Sequence, residues 1–481
     1  MRRGATVMIE LNTEVDLDVF RRYAGLSLPR HVSYPMPTWW QKLDATEVDA
    51  LIQECRHANP PNALSLYLHI PFCEHLCKFC ACTKVILRKS APNAGSHVES
   101  YNDALITEIE RLAEKVGADR PLRQIHWGGG TPTYLADDQI ERIHRTIERA
   151  FRIEKGAEIA MEIDPRTVSP AKLKRLKDLG FNRVSFGVQD FNEQVQTHVR
   201  RVQPFEMVRD TVQACRECGF TSVNFDLIYG LPYQTVETIR ETVEQSISLS
   251  PDRVAYYHYA QIPEKIATQR GMDYTKLPSS EMKLEMFLTG KRLFEEAGYE
   301  FIGLDHFAKA SEMLGQALED GTIQRNFQGM TTGGGLDLIG AGASSISHLA
   351  GLGFLQNRRE VEDYIDCIKR GETAVHRGKR LTADDLVRQG VLNQLYCLGE
   401  IRPTDIETKF GIVFCDYFAR EIGIMDELKN DGLVTLEENG VIRATPNLGR
   451  VLMRNIAAVF DAYLDVEAYR VGEKDCFSAN A

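Results

Sequence analysis

The chain has 481 residues, of which 43% are hydrophobic and 26% charged, and its formal net charge is −11 at pH 7. This is ordinary globular composition with room for two or three domains, and the acidic balance argues against nucleic acid as a partner. No apolar run approaches the ~20 residues of a membrane span, and Met1–Asn12 carries no targeting pattern, so we expect a cytoplasmic protein with no membrane partner.

Residues 1–60 are predicted to form an N-terminal arm. The stretch Pro29–Pro37 is too rich in proline for the interior of a helix and is expected to be an extended loop. Trp39 and Trp40 follow it and are expected to anchor the arm on the main domain.

A cysteine loop comes next, directly after an apolar strand predicted over residues 65–70. Cys73, Cys77 and Cys80 have the spacing C-x3-C-x2-C, and Cys82 follows. Three thiolates can hold a [4Fe–4S] cluster and leave one of its four irons open for a ligand. A zinc site or a closed four-cysteine cluster is the alternative interpretation of these residues, whereas disulfides do not suit a reducing compartment.

Strands and helices then alternate. Further strands are predicted over residues 124–127, 157–163, 183–189, 222–228 and 253–260, and an additional edge strand over 300–304. Ser169 and Thr235 are predicted to cap two of the intervening helices, and Cys215 and Cys218 are predicted to pack within another. Repeated β–α units indicate a parallel sheet.

Polar and glycine residues cluster at the carboxyl ends of these strands. They are the cysteine loop, the Gly128–Gly130 turn, Glu162, Gln189 and Asp226. That rim carries the active site in (β/α) barrels, and six units are too few to close an eightfold barrel. We therefore predict an α/β fold with a partial (β/α)6-type TIM-like barrel over residues 61–370, its turn and rim side chains contacting a polar ligand.

Residues 371–481 are predicted to form a mostly helical, winged-helix-like C-terminal domain. Its wing is a hairpin of residues 433–436 and 441–444, turned at Asn439 and Gly440. The acidic balance favours a lid or scaffold role for this domain over nucleic-acid binding.

Taken together, these motifs resemble those of the oxygen-independent coproporphyrinogen-III oxidase (dehydrogenase) family of radical S-adenosylmethionine (SAM) enzymes. The likeness covers roughly residues 20–465 and decides between the alternatives for the cysteine loop. The motifs that carry it are Tyr67-Leu-His-Ile-Pro-Phe-Cys73 through Cys82, Trp127-Gly-Gly-Gly-Thr-Pro-Thr-Tyr134, Glu162-Ile-Asp-Pro-Arg166, Phe186-Gly-Val-Gln-Asp-Phe191, Asp226-Leu-Ile-Tyr-Gly-Leu-Pro232, Asp305-His-Phe307, Arg325-Asn-Phe-Gln-Gly329 and Arg454-Asn-Ile456.

The resemblance implies specific roles for individual residues. Cys73, Cys77 and Cys80 would ligate the cluster, and Tyr67 and Cys82 would act in catalysis. SAM, which the family is thought to bind as two molecules, would contact Tyr67, Phe79, Gly129, Gly130, Thr131, Glu162, Gln189, Arg201, Asp226, Ala260 and Ile346. Cys82 matches the extra cysteine of the decarboxylating members and favours them over the related haem-chaperone branch.

The implied reaction converts two propionates of coproporphyrinogen III to vinyl groups and yields protoporphyrinogen IX. It requires a one-electron donor such as a flavodoxin or ferredoxin, and we expect the protein to act as a monomer. The substrate's propionates call for arginines, for which Arg30 and Arg325 are candidates.

Four positions depart from the usual motifs of the family: His31, Val32, Tyr233 and Met330. They bear on the substrate pocket more than on the radical machinery. Another tetrapyrrole substrate, methyl transfer, or haem binding and trafficking without turnover are therefore alternatives.

Overall fold

The computed structural model describes residues 6–9, 13–26 and 28–464. Within the arm, strands β1 (Thr6–Ile9) and β2 (Thr13–Asp16) pair antiparallel, and helix α1 (Leu17–Ala24), strand β3 (Gln41–Lys42) and helix α2 (Ala45–Arg56) follow. The proline-rich stretch between α1 and β3 is free of helix and strand over residues 28–36, as predicted. Trp40 stacks on Phe354 at 5.1 Å and so anchors the arm on the main sheet.

The central region alternates strands with helices. Its strands are β4 (Leu64–Ile70), β5 (Phe72–Cys73), β6 (Val85–Ile86), β7 (Pro121–Gly129), β8 (Arg152–Ile163), β9 (Arg183–Gln189), β10 (Ser222–Tyr229), β11 (Arg253–His258), β12 (Tyr299–Gly303), β13 (His306–Lys309), β14 (Gln324–Asn326), β15 (Gly329–Thr331), β16 (Asp337–Ala341), β17 (Ile346–Leu349), β18 (Gly353–Asn357) and β19 (Val375–Arg380). Its helices are α3 (Ala94–Val116), α4 (Asp137–Ala150), α5 (Pro170–Asp178), α6 (Glu193–Val199), α7 (Phe205–Cys218), α8 (Val236–Ser248), α9 (Ser280–Glu296), α10 (Met313–Glu319) and α11 (Val361–Lys369).

A single thirteen-stranded sheet organises this region, in the order β12-β13-β11-β10-β9-β8-β7-β4-β16-β17-β18-β19-β3. The six predicted strands run parallel from β4 to β11, and the predicted edge strand is β12. In the described part of the chain the edge strands β12 and β3 do not pair with each other, so the barrel is open, as expected from six units.

The main difference from the prediction is on the far side of β4. A seventh parallel strand, β16, pairs with β4 there, and the antiparallel strands β17, β18 and β19 continue the sheet to Arg380, beyond residue 370. The strand predicted over residues 253–260 ends at His258.

Local signals explain where several helices begin. Ser169 accepts a hydrogen bond from the Lys172 backbone N–H, and Thr235 accepts one from Thr238, so both predicted caps are present.

Cys215 is buried on α7, and burial raises the pKa of its thiol to about 12. This thiol is therefore a packing residue, as predicted.

The C-terminal region has the element order of a winged helix. Its elements are α12 (Ala383–Leu398), β20 (Glu400–Ile401), α13 (Pro403–Phe410), α14 (Phe414–Tyr417), α15 (Ala419–Asn430), β21 (Val434–Leu436), β22 (Ile442–Ala444), α16 (Leu448–Val451) and α17 (Met453–Ala458). Strands β21 and β22 form the predicted hairpin, with Gly440 at φ +85°, and β20 pairs with β22. Residues 465–481 of the predicted domain, and residues 1–5, 10–12 and 27 of the predicted arm, lie outside the described residues. None of the described helices is long and apolar enough to cross a membrane.

Glu108 ties α3 to the far half of the sheet. Its buried carboxylate accepts hydrogen bonds of 2.7 Å from the Gly342 N–H, the Asn357 side chain and the Tyr364 hydroxyl. Burial raises the pKa of Glu108 to about 7 even though these donors favour the charged form.

Replacing Glu108 with glutamine is expected to remove a pH dependence of stability. Because the carboxyl pKa is higher in the folded than in the unfolded chain, the folded state binds the proton more tightly, and this group's contribution to stability falls as pH rises from about 4.5 to about 7. The difference in unfolding free energy between wild type and Glu108→Gln should therefore shift by about 3 kcal/mol between pH 5 and pH 8, with the wild type relatively more stable at pH 5. Urea unfolding at both pH values measures this, and Glu110→Gln, at an exposed position of α3, should show no such shift.

Candidate active site

The cysteine loop is closed by hydrogen bonds at its base. Strands β5 and β6 pair parallel, so that Phe72 lies opposite Val85 and Cys73 opposite Ile86. The Leu87 N–H donates to the Cys73 carbonyl at 2.9 Å, and the Lys84 ammonium donates to the carbonyls of Cys80 and Cys82 at 2.9 and 3.2 Å. These hydrogen bonds therefore hold the cysteine loop in a fixed conformation at the carboxyl end of β4.

The three predicted cluster thiols have different neighbours. The Cys73 Sγ lies 3.4 Å from the Thr131 hydroxyl, and the Cys77 Sγ lies 3.7 Å from Nη1 of Arg201. A hydrogen bond with Cys82 and the charge of Lys84 lower the pKa of Cys80 to about 6 against the effect of burial, whereas burial raises that of Cys73 to about 11. Cationic and hydroxyl neighbours of this kind favour thiolates, the form that binds iron.

The donor set fits an iron–sulfur cluster. Three cysteines lie on one short loop, and Cys77 and Cys80 are close enough to Cys73 for their charges to contribute to the raised pKa of its thiol. A mononuclear site needs three or four ligands around one ion. No three His, Cys, Asp or Glu side chains among the described residues are grouped in that way.

The glycine turn is bonded directly to the cysteine loop. The Gly130 N–H donates to the Ile70 carbonyl at 2.8 Å, and the Thr131 N–H donates to the Phe72 carbonyl at 2.9 Å. A Cβ on Gly130 would lie 2.6 Å from the Pro71 carbonyl oxygen, so only glycine allows this approach. The turn thus holds the cysteine loop in place, a role additional to the predicted ligand contact.

Glu162 connects the glycine turn to the strand below it. Its Oε2 accepts from the Gly129 N–H at 3.1 Å, and its Oε1 lies 3.3 Å from Nε2 of His126. The Tyr67 ring stacks on His126 at 5.9 Å, and the Tyr67 hydroxyl lies 3.1 Å from Nδ1 of His69. Tyr67, Gly129 and Glu162 are therefore brought together, on the interior face of β4, β7 and β8.

Gln189 and Arg201 form the next group along the rim. Gln189 has φ +68°, an uncommon left-handed conformation for a non-glycine residue, which lets the strand end there. Arg201 donates to the Gly187 carbonyl at 3.0 Å and pairs with Asp164 at 3.3 Å. Burial opposes the charge of Asp164, but Arg201 and Arg166 outweigh it and lower the pKa of this carboxyl to about 2.

Asp226 is a partly buried carboxyl group on β10. It accepts hydrogen bonds from Asn224 at 2.9 Å and Ser185 at 3.3 Å. Burial, together with the charge of Glu162, raises the pKa of Asp226 to about 6. Glu162 and Asp226 thus place two interacting carboxyl groups over the same interior.

Phe79 and Ala260 lie together on the opposite side of the loop. The Gln269 side chain donates to both of their carbonyls, at 3.1 and 2.9 Å. Ile346 begins β17, beyond β16 in the sheet, and packs with Trp40 and Phe354. Cys82 is exposed on the loop.

The four departures from the resembled motifs lie in different surroundings. His31 is buried between the Tyr396 hydroxyl and Asp461, at 2.7 and 2.9 Å, and Val32 lines a cavity of about 570 Å³ between the arm and α12. Tyr233 packs edge-on against His198, outside the strand ends. Met330 is buried in a small core with Ile302 and Leu314, so the change there concerns packing.

Three groups at the site were not among the predicted site residues. His126 supports Tyr67, Arg166 pairs with Asp164 in contact with Cys77, and Gln269 joins Phe79 to Ala260. The first two could have been found from position, since His126 is two residues before the glycine turn and Arg166 follows the end of β8. Gln269 lies in a short 3-10 helix, Ala267–Gly271, and carries no such signal.

Comparison with known proteins agrees with this geometry. Residues 67–245 match the sequence profile of the radical SAM superfamily. The oxygen-independent coproporphyrinogen III oxidase of Salmonella typhimurium is 40% identical over 463 residues, covering 96% of this chain and 98% of that protein, and the Helicobacter pylori protein of the same name is 37% identical over 463 residues with the same coverage. Among solved structures, the coproporphyrinogen III oxidase of Escherichia coli (HemN), described as a radical SAM enzyme, superposes with a TM-score of 0.84 at 38% identity, covering 93% of this chain and 99% of that one.

Proposed function

Because the chain belongs to the oxygen-independent coproporphyrinogen III oxidase family of radical SAM enzymes, we propose that it oxidatively decarboxylates coproporphyrinogen III. Two propionates become vinyl groups, and the product is protoporphyrinogen IX. The observation that carries the proposal is the cysteine loop held at the same rim as Tyr67, Glu162, Arg201 and Asp226.

The reaction balances for each propionate as a two-electron oxidation. Loss of CO2 and one β-hydrogen gives the vinyl group, while SAM is reduced to methionine and 5′-deoxyadenosine. When bound, the cluster would supply the electron that SAM cleavage requires, and SAM would supply the acceptor for the β-hydrogen. The second electron leaves the substrate for an acceptor outside the protein.

The chain's own residues position these partners. We assign cluster binding to Cys73, Cys77 and Cys80, whose neighbours Thr131 and Arg201 favour thiolates. SAM contact is assigned to the rim and loop residues predicted for it, which are Tyr67, Phe79, Gly129, Gly130, Thr131, Glu162, Gln189, Arg201, Asp226, Ala260 and Ile346. The exposed Cys82 is assigned to the substrate side, with Tyr67 as the second catalytic residue.

We also propose the cellular setting. The ten described cysteines are unpaired, which suits the reducing cytoplasm. A one-electron donor such as a flavodoxin or ferredoxin would reduce the cluster, and the chain would act as a monomer. Residues 1–60, 61–370 and 371–481 are proposed as arm, catalytic domain and C-terminal domain.

An anaerobic turnover assay tests the function. The reconstituted protein is mixed with SAM, a strong one-electron reductant and coproporphyrinogen III, and porphyrin masses and 5′-deoxyadenosine are followed. We expect loss of two CO2 per substrate with a matching amount of deoxyadenosine. Formation of deoxyadenosine without a change in porphyrin mass would contradict the assignment of coproporphyrinogen III as the substrate. Stoichiometric haem binding without deoxyadenosine would indicate haem trafficking.

SAM binding is expected to weaken as Asp226 is protonated. Its pKa of about 6 means that the carboxylate loses its charge as pH falls from 8 to 5, and with it an attraction to the cationic SAM. We expect about a tenfold rise in Kd over this range, and in Asp226→Asn a weaker but nearly pH-independent Kd. Equilibrium dialysis of the cluster-loaded protein measures it, with Asp119→Asn, at the exposed amino end of β7, as the control. An unchanged pH profile in Asp226→Asn would contradict the assignment.

A further inference from the structure

A cationic surface lies beside the cysteine loop, although the chain as a whole is acidic, with 57 lysines and arginines against 68 aspartates and glutamates. Its four cations are Lys78, Arg200, Arg270 and Lys276. The last three are exposed and Lys78 is half-buried, and none of the four forms an ion pair with a described residue. Asp273 lies among them, but its carboxylate accepts hydrogen bonds from the neighbouring Thr275 and from a tyrosine hydroxyl instead of from a cation.

Three contacts join the separate segments of this surface. The Lys78 N–H donates to the Val199 carbonyl at 3.0 Å, which places the cysteine loop against the end of α6. The Asp273 N–H donates to Nε2 of His198 at 3.1 Å, so the segment after β11 also lies against α6. A Cβ on Gly271 would lie 3.8 Å from Cε of Lys78. Each of the four cations is within three residues of one of these contacts, so they share one face of the protein.

Aromatic side chains lie among the cations. Phe79, Tyr233 and Tyr274 are partly exposed and pack on a small buried core that includes Val199. Tyr233 packs edge-on against His198 at 4.9 Å. Aromatic residues surrounded by charged ones are typical of protein interfaces, and in short-lived encounters such as electron transfer the charges set the rate of association and the orientation of the partner. The composition of this surface therefore suits a protein partner of opposite charge.

The surface adjoins the proposed cluster site directly. Lys78 and Phe79 lie in sequence between Cys77 and Cys80, two of the assigned cluster ligands. The Thr268 hydroxyl, from the segment that carries Arg270 and Lys276, donates to the Cys80 carbonyl at 3.3 Å. Electron transfer between two proteins requires their redox groups to come close without any covalent bond forming. A carrier bound at this surface would contact the loop that holds the cluster.

We propose that this surface is the docking site for the carrier that reduces the cluster, an acidic one-electron carrier protein. The assignment rests on the proposed function, which requires such a donor, and adds to it the place where the donor binds. The carrier is oxidised by one electron and the cluster is reduced by one electron, so no group is transferred and no bond forms. Cations at this surface raise the rate of encounter with an acidic carrier and disfavour a basic one.

Binding of an oxidised flavodoxin, an acidic one-electron carrier, tests the surface without turnover. It is titrated by isothermal calorimetry against the cluster-loaded and the cluster-free wild type, the double variant Arg270→Glu, Lys276→Glu and the control Lys429→Glu. Lys429 is an exposed lysine of α15, in the C-terminal domain. Lys78 and Arg200 stay unchanged because each is next in sequence to an assigned site residue. We expect Kd to rise about tenfold in the double variant, where two attractive charges become repulsive, and to stay at the wild-type value in the control. Added salt should weaken binding to the wild type more than to the double variant.

The rate of cluster reduction separates docking from a general change in the protein. Stopped-flow bleaching of the cluster absorbance gives the second-order rate constant for reduced flavodoxin and for photoreduced 5-deazariboflavin, a small uncharged reductant. We expect the rate constant for flavodoxin to fall about tenfold in the double variant, because the encounter is steered by charge. The rate constant for the small reductant should not change, and Lys429→Glu should match the wild type with both reductants.

Several outcomes would overturn the proposal. They are no measurable binding or reduction of the wild type by flavodoxin, wild-type values in the double variant, an equal loss with both reductants, or binding of single-stranded RNA to this surface as tight as that of flavodoxin. Near-UV circular dichroism establishes that the variants are folded. Decarboxylation of coproporphyrinogen III with the small reductant, combined with a flavodoxin rate that ignores the two charge reversals, would contradict this inference alone. A flavodoxin rate that depends on Arg270 and Lys276, without decarboxylation, would support the docking surface and contradict the proposed function.

Discussion

Replacing Cys77 with alanine is expected to abolish iron–sulfur absorbance and SAM cleavage together. Cys77 is one of the three predicted cluster thiols on the loop; the residue is 7% exposed, and its sulfur lies beside the Arg201 guanidinium. Two remaining thiolates would leave two irons of a cube without a protein ligand, so the cluster should not assemble stably. We expect the visible charge-transfer band and bound iron to fall to background, and 5′-deoxyadenosine to fall below detection.

The control for this experiment is another cysteine of the same chain. Cys415 is exposed on α14, far in sequence from the loop, and Cys415→Ala should retain iron, absorbance and SAM cleavage at wild-type levels. Metal analysis of the wild type and of the Cys77→Ala protein tests whether Cys77 is a ligand and whether the bound metal is iron. Retention of iron and of SAM cleavage in that variant would remove Cys77 from the ligand set, and zinc in place of iron in the wild type would contradict the cluster.

Much of the barrel was predictable because its strands and helices have local sequence features, namely apolar runs and capping residues. β4, β9 and β10 are apolar runs of nearly the predicted lengths, and Ser169 caps α5 as its position suggested. β8 is longer than predicted because its polar first residues are exposed yet still pair with β7, as Arg152 does with Pro121. Backbone pairing, not side-chain pattern, sets that boundary.

The seventh parallel strand was not predictable in this way. β16 is a short run, and its place beside β4 depends on a partner more than 250 residues earlier, as in the pairing of Asp337 with Leu64. A buried ion pair between Asp337 and Arg120 fixes the same junction. Neither contact has a local signature, because both depend on how the chain returns to the sheet.

The candidate site also has features that local sequence predicts and contacts that it does not predict. Cysteine spacing and the polar residues at strand ends identify the loop and the rim, since both follow from local sequence. The contacts between the loop and the rim do not follow from local sequence. The Gly130 N–H donates to the Ile70 carbonyl, and Arg201 contacts both Asp164 and Cys77.

Replacing Gly130 with alanine is expected to separate the glycine turn from the cysteine loop. The added Cβ would lie 2.6 Å from the Pro71 carbonyl oxygen and 3.0 Å from that of Phe72, and both obstacles are backbone atoms that cannot rotate away. The turn must shift, which strains the hydrogen bonds from Gly130 to Ile70 and from Thr131 to Phe72. We expect a loss of about 1–3 kcal/mol in unfolding free energy, together with reduced iron content and weaker SAM binding.

Gly95→Ala provides the matched control, because a Cβ at Gly95 meets nothing within 4 Å and the residue lies in helix α3. Alanine there should leave iron content unchanged and keep or raise stability by up to about 1 kcal/mol, since glycine is the poorer helix former. Urea unfolding with iron analysis on both variants decides the matter. If Gly130→Ala lost stability but kept iron and SAM affinity, the turn would support the sheet alone; if it lost both while Gly95→Ala lost neither, the bond between turn and loop would be what holds the thiols in register.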